Sequence, residues 1–276
     1  LGQLADAAIF KGENADMFKD SLTAGFKEIE AEVRELTGNP NAEVPVDKEG
    51  ADILYVALAG AHSVRPAAVI FNEAGANWTL SFFESANYGF FYGDTEKARI
   101  IAKRYVDEAV RLGVKDIVIT ECGHAYRVAE MFYDAWAGET KPFRVRHILE
   151  VIDEYIKEGR IKVTPGAIKR RITYHDPCQI GRNGGIFEQP RDIVRAISAD
   201  FVDMTPNRDK QWCCGGGGGI VAMEEYNEMR VASGGKKVEQ LRATGAEVLA
   251  CPCENCRLQI NELNTVNDLG LEIVQV

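Results

Sequence analysis

KVEQLRATGAEVLACPCENCRLQ, residues 237–259, reads as a helix, a glycine turn, a strand, a cysteine-bearing turn and the start of another helix. YVDEAVRLGVKDIVITECGHAYR, residues 105–127, repeats that order of parts. A shorter pair precedes each: DILYVALAG at 52–60 resembles RITYHDPCQ at 171–179. Each half thus gives a strand, a loop, a glycine-rich turn, a long helix, a second strand and a turn before a further helix. Alternation of this kind points to an α/β fold with mainly parallel sheets, since parallel neighbours need a helical crossover. Two similar lobes are expected.

Working outward, strands are predicted over 51–60, 114–120, 170–178 and 246–252, and helices over 94–113, 144–159, 190–197 and 223–245, the last as one long amphipathic element. The first 38 residues read as helical, with Leu22, Phe26, Ile29, Val33 and Leu36 on one side and the acidic stripe from Glu28 to Glu35 as a solvated face. Gly38, Asn39 and Pro40 end that segment, and NPNAEVPVDKEG follows as a linker. The division predicted is an N-terminal helical segment and linker (1–48), a first lobe (49–165) and a second lobe (166–276).

Composition narrows the class. The 276 residues carry a formal charge of −10, which makes nucleic acid a poor partner. No apolar run reaches the roughly 18–20 residues of a membrane-spanning helix, and the first residues do not read as a secretory signal. Seven cysteines in such a chain favour metal or redox chemistry over disulfides.

Five of them form a spaced set: Cys178 in YHDPCQIGR, Cys213 and Cys214 in QWCCGGGGG, and Cys253 and Cys256 in CPCENCRLQI. Each follows a predicted strand or opens a predicted helix, so three segments can meet beyond the carboxyl ends of parallel strands. Helix N–H groups beside Cys213 and Cys214 would favour thiolates. Tetrahedral zinc needs four ligands, whereas adjacent cysteines and a fifth thiol suit a polynuclear iron–sulfur site better. Spacing alone leaves zinc and disulfide-forming thiols open. In the repeat register Ala59 falls opposite Cys178, Asn87 and Tyr88 opposite Cys213 and Cys214, Cys122 opposite Cys253, and Ala125 opposite Cys256. One site is therefore expected, in the second lobe.

YHDPC, CCGGGG and C-x-x-C-x-x-Q together resemble the cysteine-rich CCG domain of heterodisulfide reductase catalytic subunits and their relatives, over about residues 50–265. AGANWTLS, ESANYGFFYGD and ITECGHAYR look like the DsrK and HdrD branch of that family. The resemblance implies that Cys178, Cys213, Cys214, Cys253 and Cys256 hold a non-cubane [4Fe–4S] cluster at which disulfides are reduced or formed. It also implies a cytoplasmic-side subunit of a membrane-associated redox complex of sulfur metabolism, served by a haem- or quinone-linked membrane subunit. The substrate would be a DsrC-like protein or a small thiol or heterodisulfide. Relatives with similar modules serve quinone-linked glycolate, lactate or glycerol-3-phosphate dehydrogenases. Ferredoxin-like cysteine runs, usual in this branch, are not seen here. Another chain would supply them, or they lie ahead of Leu1.

Around the set, Cys251 is a substitute ligand. Cys122 with His124, and His175, are candidate catalytic groups: a redox thiol beside a proton donor, expected at a cleft between the lobes, and a histidine three residues before Cys178. Asp176 is a possible relay and Arg182 an anion-binding group. Trp78 and Tyr88 read as core. The glycine run lacks the lysine and serine or threonine of a phosphate loop and reads as packing at the thiols.

Overall fold

The computed structural model describes residues 1–57, 61–81, 87–120, 122–138 and 140–275. Ala59, residues 84–86 of ESANYGFFYGD and Glu121 of ITECGHAYR lie outside them. The chain opens with two helices, α1 (Gly2–Glu13) and α2 (Ala15–Thr37), and Gly38 ends α2 at φ 65°. Then come β1 (Ile53–Val56), α3 (Ala61–Glu73), β2 (Trp78–Leu80), α4 (Tyr88–Tyr92), α5 (Thr95–Leu112), β3 (Asp116–Ile119), α6 (Gly123–Ala137), β4 (Arg144–His147) and α7 (Ile148–Lys157). The second half holds β5 (Ile172–Tyr174), α8 (Glu188–Ile197), α9 (Asn227–Ser233), α10 (Gly235–Thr244), β6 (Val248–Ala250), α11 (Glu254–Val266) and β7 (Glu272–Val274). The α/β class with parallel sheets is as the alternation predicts.

Two compact units emerge. One comprises Leu1–Thr120, Val128–Ile148 and Glu158–Ile161; the other comprises Glu121–Arg127, Leu149–Lys157 and Lys162–Val276. The first carries a parallel sheet in the order β2-β1-β3-β4, the second a parallel sheet in the order β5-β6-β7. The repeat is visible in this order: β5, β6 and β7 follow one another as β1, β3 and β4 do. An isolated parallel bridge from Ile172 to Phe201 stands where β2 pairs with β1. Cys122 precedes α6 as Cys253 precedes α11, and Ala125 and Cys256 each lie three residues further on.

β1, β2 and β3 are buried at every position, without alternation, as in a parallel sheet covered on both faces. Trp78 is core: it lies 4.9 Å from Phe71 and 6.3 Å from Tyr55, ring centroid to centroid. In α2 the predicted stripe holds at Ile29 and Val33, while Leu36 is exposed at the helix end. Asp94 caps α5 by accepting from Lys97 N–H, and Gly113 closes it at φ 71°. In the second unit Ile172, Tyr174, Val194, Val248 and Ala250 form the core against Ile168, Phe201 and Val274.

Two predicted helices are corrected. Arg144–His147 is a strand paired with β3, because alternating Val145 and His147 face inward and Arg144 reaches the Asp116 carboxylate at 2.7 and 2.8 Å. The long helix over 223–245 is broken: a 3₁₀ turn covers Glu224–Tyr226, and Gly234 separates α9 from α10. A Cβ at Gly234 would sit 2.6 Å from Leu263, so the break also lets α11 approach.

His147 ends β4 with no exposure, and burial pushes its pKa down to about 3. The unfolded ring titrates near 6.5, so its neutral burial is fully tolerated above that pH and increasingly costly as pH falls toward 3. His147→Gln should remove one proton from the acid dependence of stability. Urea denaturation between pH 6 and 4 should show the slope of unfolding free energy against pH falling by about 1.4 kcal/mol per unit.

Candidate metal centre

The second sheet delivers its sulfurs from the carboxyl ends of its strands. His175 N–H bonds Ala250 C=O at 3.0 Å and Cys251 N–H bonds Val274 C=O at 2.9 Å, so pairing runs up to the edge of the site. Beyond β5 the chain reads His175, Asp176, Pro177, Cys178; beyond β6 it reads Cys251, Pro252, Cys253 and then α11 with Cys256 in its first turn.

Asp176 is the anchor of the first of these turns. Its carboxylate accepts two N–H bonds from Arg191, both 2.8 Å, and one from Arg208 N–H at 2.8 Å. Arg191 is wholly buried, also bonds Asp203 and Phe187 C=O, and lies over the Tyr174 ring at 5.4 Å. A bidentate, charge-assisted pair of this kind fixes a turn in direction as well as energy. The fully engaged carboxylate is thus a clamp and not a proton relay. Arg182 is likewise engaged, donating to Asp209 C=O at 2.7 Å and Gln211 C=O at 2.6 Å, which ties the Cys178 turn to the segment leading into Cys213.

The glycine run brings Cys213 and Cys214 to α11. Gly215 sits at φ 91°, and a Cβ there would meet Ser233 Oγ at 2.7 Å; one at Gly216 would meet Gln259 Cβ at 2.7 Å and Asn255 C=O at 2.9 Å. No α-helix starts at this pair. Its N–H donors come from the turn itself, Gly215 N–H to Cys213 Sγ and Gly216 N–H to Cys214 Sγ, each 3.4 Å. Sequence reasoning misses Gln259, although C-x-x-C-x-x-Q contains it. Gln259 is wholly buried, donates to Arg230 C=O at 3.1 Å, accepts from the Arg230 guanidinium, and packs beneath the glycines.

These turns assemble a continuous set of thiols. Cys178 interacts with Cys213, Cys213 with Cys214, Cys214 with Cys256, and Cys256 with both Cys253 and Cys251. The Cys214 and Cys256 sulfurs are 3.2 Å apart, well beyond a disulfide bond of about 2.05 Å. Crowding splits their titration. Hydrogen bonds from Cys178 and Cys214 push Cys213 down, while Cys178, Cys214 and Cys256 rise as protonated donors to their neighbours. Cys253 is drawn down to about 7 by the Cys256 thiol and by the facing N–H groups of Cys256, Gly123 and Asn255. Cys213 is exposed, Cys178 half-buried and the others buried.

His175 completes the wall. It is wholly buried, neither ring nitrogen has a hydrogen-bond partner, and a ring nitrogen lies within 4.8 Å of the Cys214 and Cys256 sulfurs. Burial, then the Lys237 charge, keeps it neutral. Orphaned nitrogens facing sulfurs too close to ionise together are what a cation-bearing group would relieve, so the residues fit a thiolate-held metal group. Cys251 bonds the Cys253 carbonyl at 3.6 Å and lies beneath Cys256. Cys122 and His124 fall in the Glu121–Arg127 segment of the second unit; both are buried, and the Cys122 sulfur accepts Ala125 N–H at 3.4 Å.

Residues 172–261 match the family described as the CCG cysteine-rich domain. That segment is a CCG domain. The chain is 26% identical over 299 aligned residues to an Hdr-like menaquinol oxidoreductase iron-sulfur subunit of Archaeoglobus profundus, covering 90% of this chain and 53% of that one. It is 32% identical over 166 residues to a dihydromethanophenazine:CoB–CoM heterodisulfide reductase polypeptide of Methanosarcina barkeri, covering 60% of this chain and 40% of that one. An EtfAB:quinone oxidoreductase of Syntrophomonas wolfei is 29% identical over 154 residues, 54% of this chain and 21% of that one. The chain spans about half the length, or less, of these relatives.

The glycine run gives a graded test. Gly216→Val should lower the unfolding free energy by about 1–3 kcal/mol, through the clash with Gln259. Gly217→Ala, where nothing lies within 4 Å, should change it by less than about 0.5 kcal/mol. Urea denaturation of both variants checks this.

Proposed function

We propose that this chain is an iron–sulfur oxidoreductase subunit whose cluster is held by Cys178, Cys213, Cys214, Cys253 and Cys256 and is of the non-cubane [4Fe–4S] type. The observation that carries the reading is the unbroken run of sulfurs from Cys178 to Cys256, with adjacent Cys213 and Cys214 both in it. Zinc in a tetrahedron would use four thiols and leave one idle. The iron–sulfur name of the Archaeoglobus relative and the CCG match support the same choice. The sequence division into 1–48, 49–165 and 166–276 belongs to this proposal as the history of the repeat.

A cluster bound here would supply single electrons and, where iron keeps an open position, a place for sulfur to bind. The chain's own part is positional. Cys214, Cys253 and Cys256 form a buried base, while Cys178 and Cys213 stand toward solvent. Gly215 and Gly216 N–H groups face the anionic sulfurs and lower their charge density. His175, neutral and closed off from water, keeps a ring nitrogen within 4.8 Å of the Cys214 and Cys256 sulfurs. The candidates Cys122 and His124 flank Gly123, whose N–H faces the Cys253 sulfur, and that adjacency supports keeping them in the proposal as a redox thiol and proton donor.

The reaction we favour is the reduction or formation of a disulfide, on a DsrC-like protein or a small thiol, within a membrane-associated complex related to those containing DsrK or HdrD. The named function of the Methanosarcina relative supports it. Among the described residues no helix is long and apolar enough to cross a membrane; we favour attachment through a haem- or quinone-linked partner. The Syntrophomonas relative favours a second reading, electron transfer to quinone without disulfide chemistry. Turnover of a thiol or disulfide substrate in the assembled complex separates the two.

Anaerobically purified protein should carry about four iron atoms with matching sulfide and no stoichiometric zinc. Cys214→Ser should lose the iron chromophore and Cys122→Ser should keep it. Zinc without iron, or two clusters per chain, overturns the proposal.

A further inference from the structure

Lys237 is the second lysine of GGKKVEQ, in the first turn of α10, and its side chain is wholly buried. Lysine is almost never buried so completely unless an anion answers it. Among the described residues no carboxylate lies within ion-pair distance of its ammonium. Its contacts are neutral: Nζ donates to Gln240 Oε1 and lies 3.7 Å from Met204 Sδ. Gln240 is held in turn by the Pro206 carbonyl.

The nearest carboxylate that acts on it, Asp176, is already committed. Asp176 and Asp203 answer the Arg191 guanidinium, and Glu188 and Asp203 answer that of Arg208, so each of these carboxylates already has a cationic partner. What remains around Lys237 is sulfur, which becomes anionic once the thiols hold a metal group. Burial pulls its pKa down to about 8, while Cys214, Cys256, Asp176 and Cys213 act in the opposite sense. His175 feels the same ammonium from the other side.

Resting on the iron–sulfur reading above, we propose that Lys237 is the built-in counter-charge of the thiolate site: a positioning residue that holds a fixed cation behind Cys214 and Cys256 and raises the reduction potential of the group they hold. Reduction adds negative charge to that group, and a cation in a low-dielectric surround stabilises the reduced form more than the oxidised one. The Gln240 and Met204 contacts hold the ammonium without neutralising it. The charge therefore stays available to the sulfurs.

The test is a potentiometric titration followed by EPR, with iron content measured on each sample. If the wild-type chain holds no iron, the iron–sulfur reading fails. With iron present, the inference stands or falls separately. At the wild-type midpoint, Lys237→Met should lower the ratio of reduced to oxidised cluster at least tenfold, equal to 59 mV for one electron. Lys237→Arg should restore the ratio to within twofold. Lys236→Met, whose exposed ammonium pairs with Glu239, should leave it unchanged. An unchanged ratio in iron-loaded Lys237→Met overturns the inference. If Lys237→Met binds no iron, iron-loaded Lys237→Arg at the wild-type ratio supports it. Loss of iron from both assigns the position to packing and overturns it.

Discussion

Like charges set the terms of this structure. Sulfurs brought as close as Cys214 and Cys256, 3.2 Å apart, cannot all ionise in a buried space. Chains normally avoid such crowding, and here three separate segments are spent on enforcing it. The Asp176–Arg191 clamp aims one turn, the glycine run lets a second slide over Gln259, and the start of α11 supplies the third. Each device is costly by itself. A buried ion pair is only weakly stabilising, and glycines lose much conformational freedom on folding. Their common product is a cluster of thiols whose repulsion a cationic group would relieve.

The surroundings follow from that constraint. A ring kept neutral by burial, turn N–H groups aimed at sulfur, and an ammonium with only neutral contacts all temper negative charge without competing for it. Carboxylates near the site are kept engaged with arginine. The solvent side is left to Cys213 and Cys178, so exchange with the outside is confined to one edge.

Much of this was legible in the chain. Strands such as 114–120 and 246–252 are short apolar runs closed by glycine turns, and fully buried parallel strands need no more signal than that. The cysteines announced themselves by spacing. What stayed hidden was context. Arg144–His147 runs into α7 without a break, so helix periodicity downstream masked a four-residue strand. Gly234 and Gly235 read as tolerable in a helix until Leu263 is seen against the first of them. Lys237 lies beside exposed Lys236 and has the sequence signature of a solvated lysine; only burial distinguishes it. Asp176 and Arg182 look chemical beside Cys178, yet their hydrogen bonds belong to distant backbone and to Arg191.

The interleaving of short segments between the two compact units bears on how this chain can be divided. A fragment beginning at residue 166 would inherit every thiol of the spaced set. It would leave behind Gly123, whose N–H faces Cys253 and whose missing Cβ admits Gln179 and Ile180, the residues just after Cys178. The two halves are therefore not interchangeable cassettes. Shuffling one of them into another architecture would carry the thiols across but not the wall they rest on.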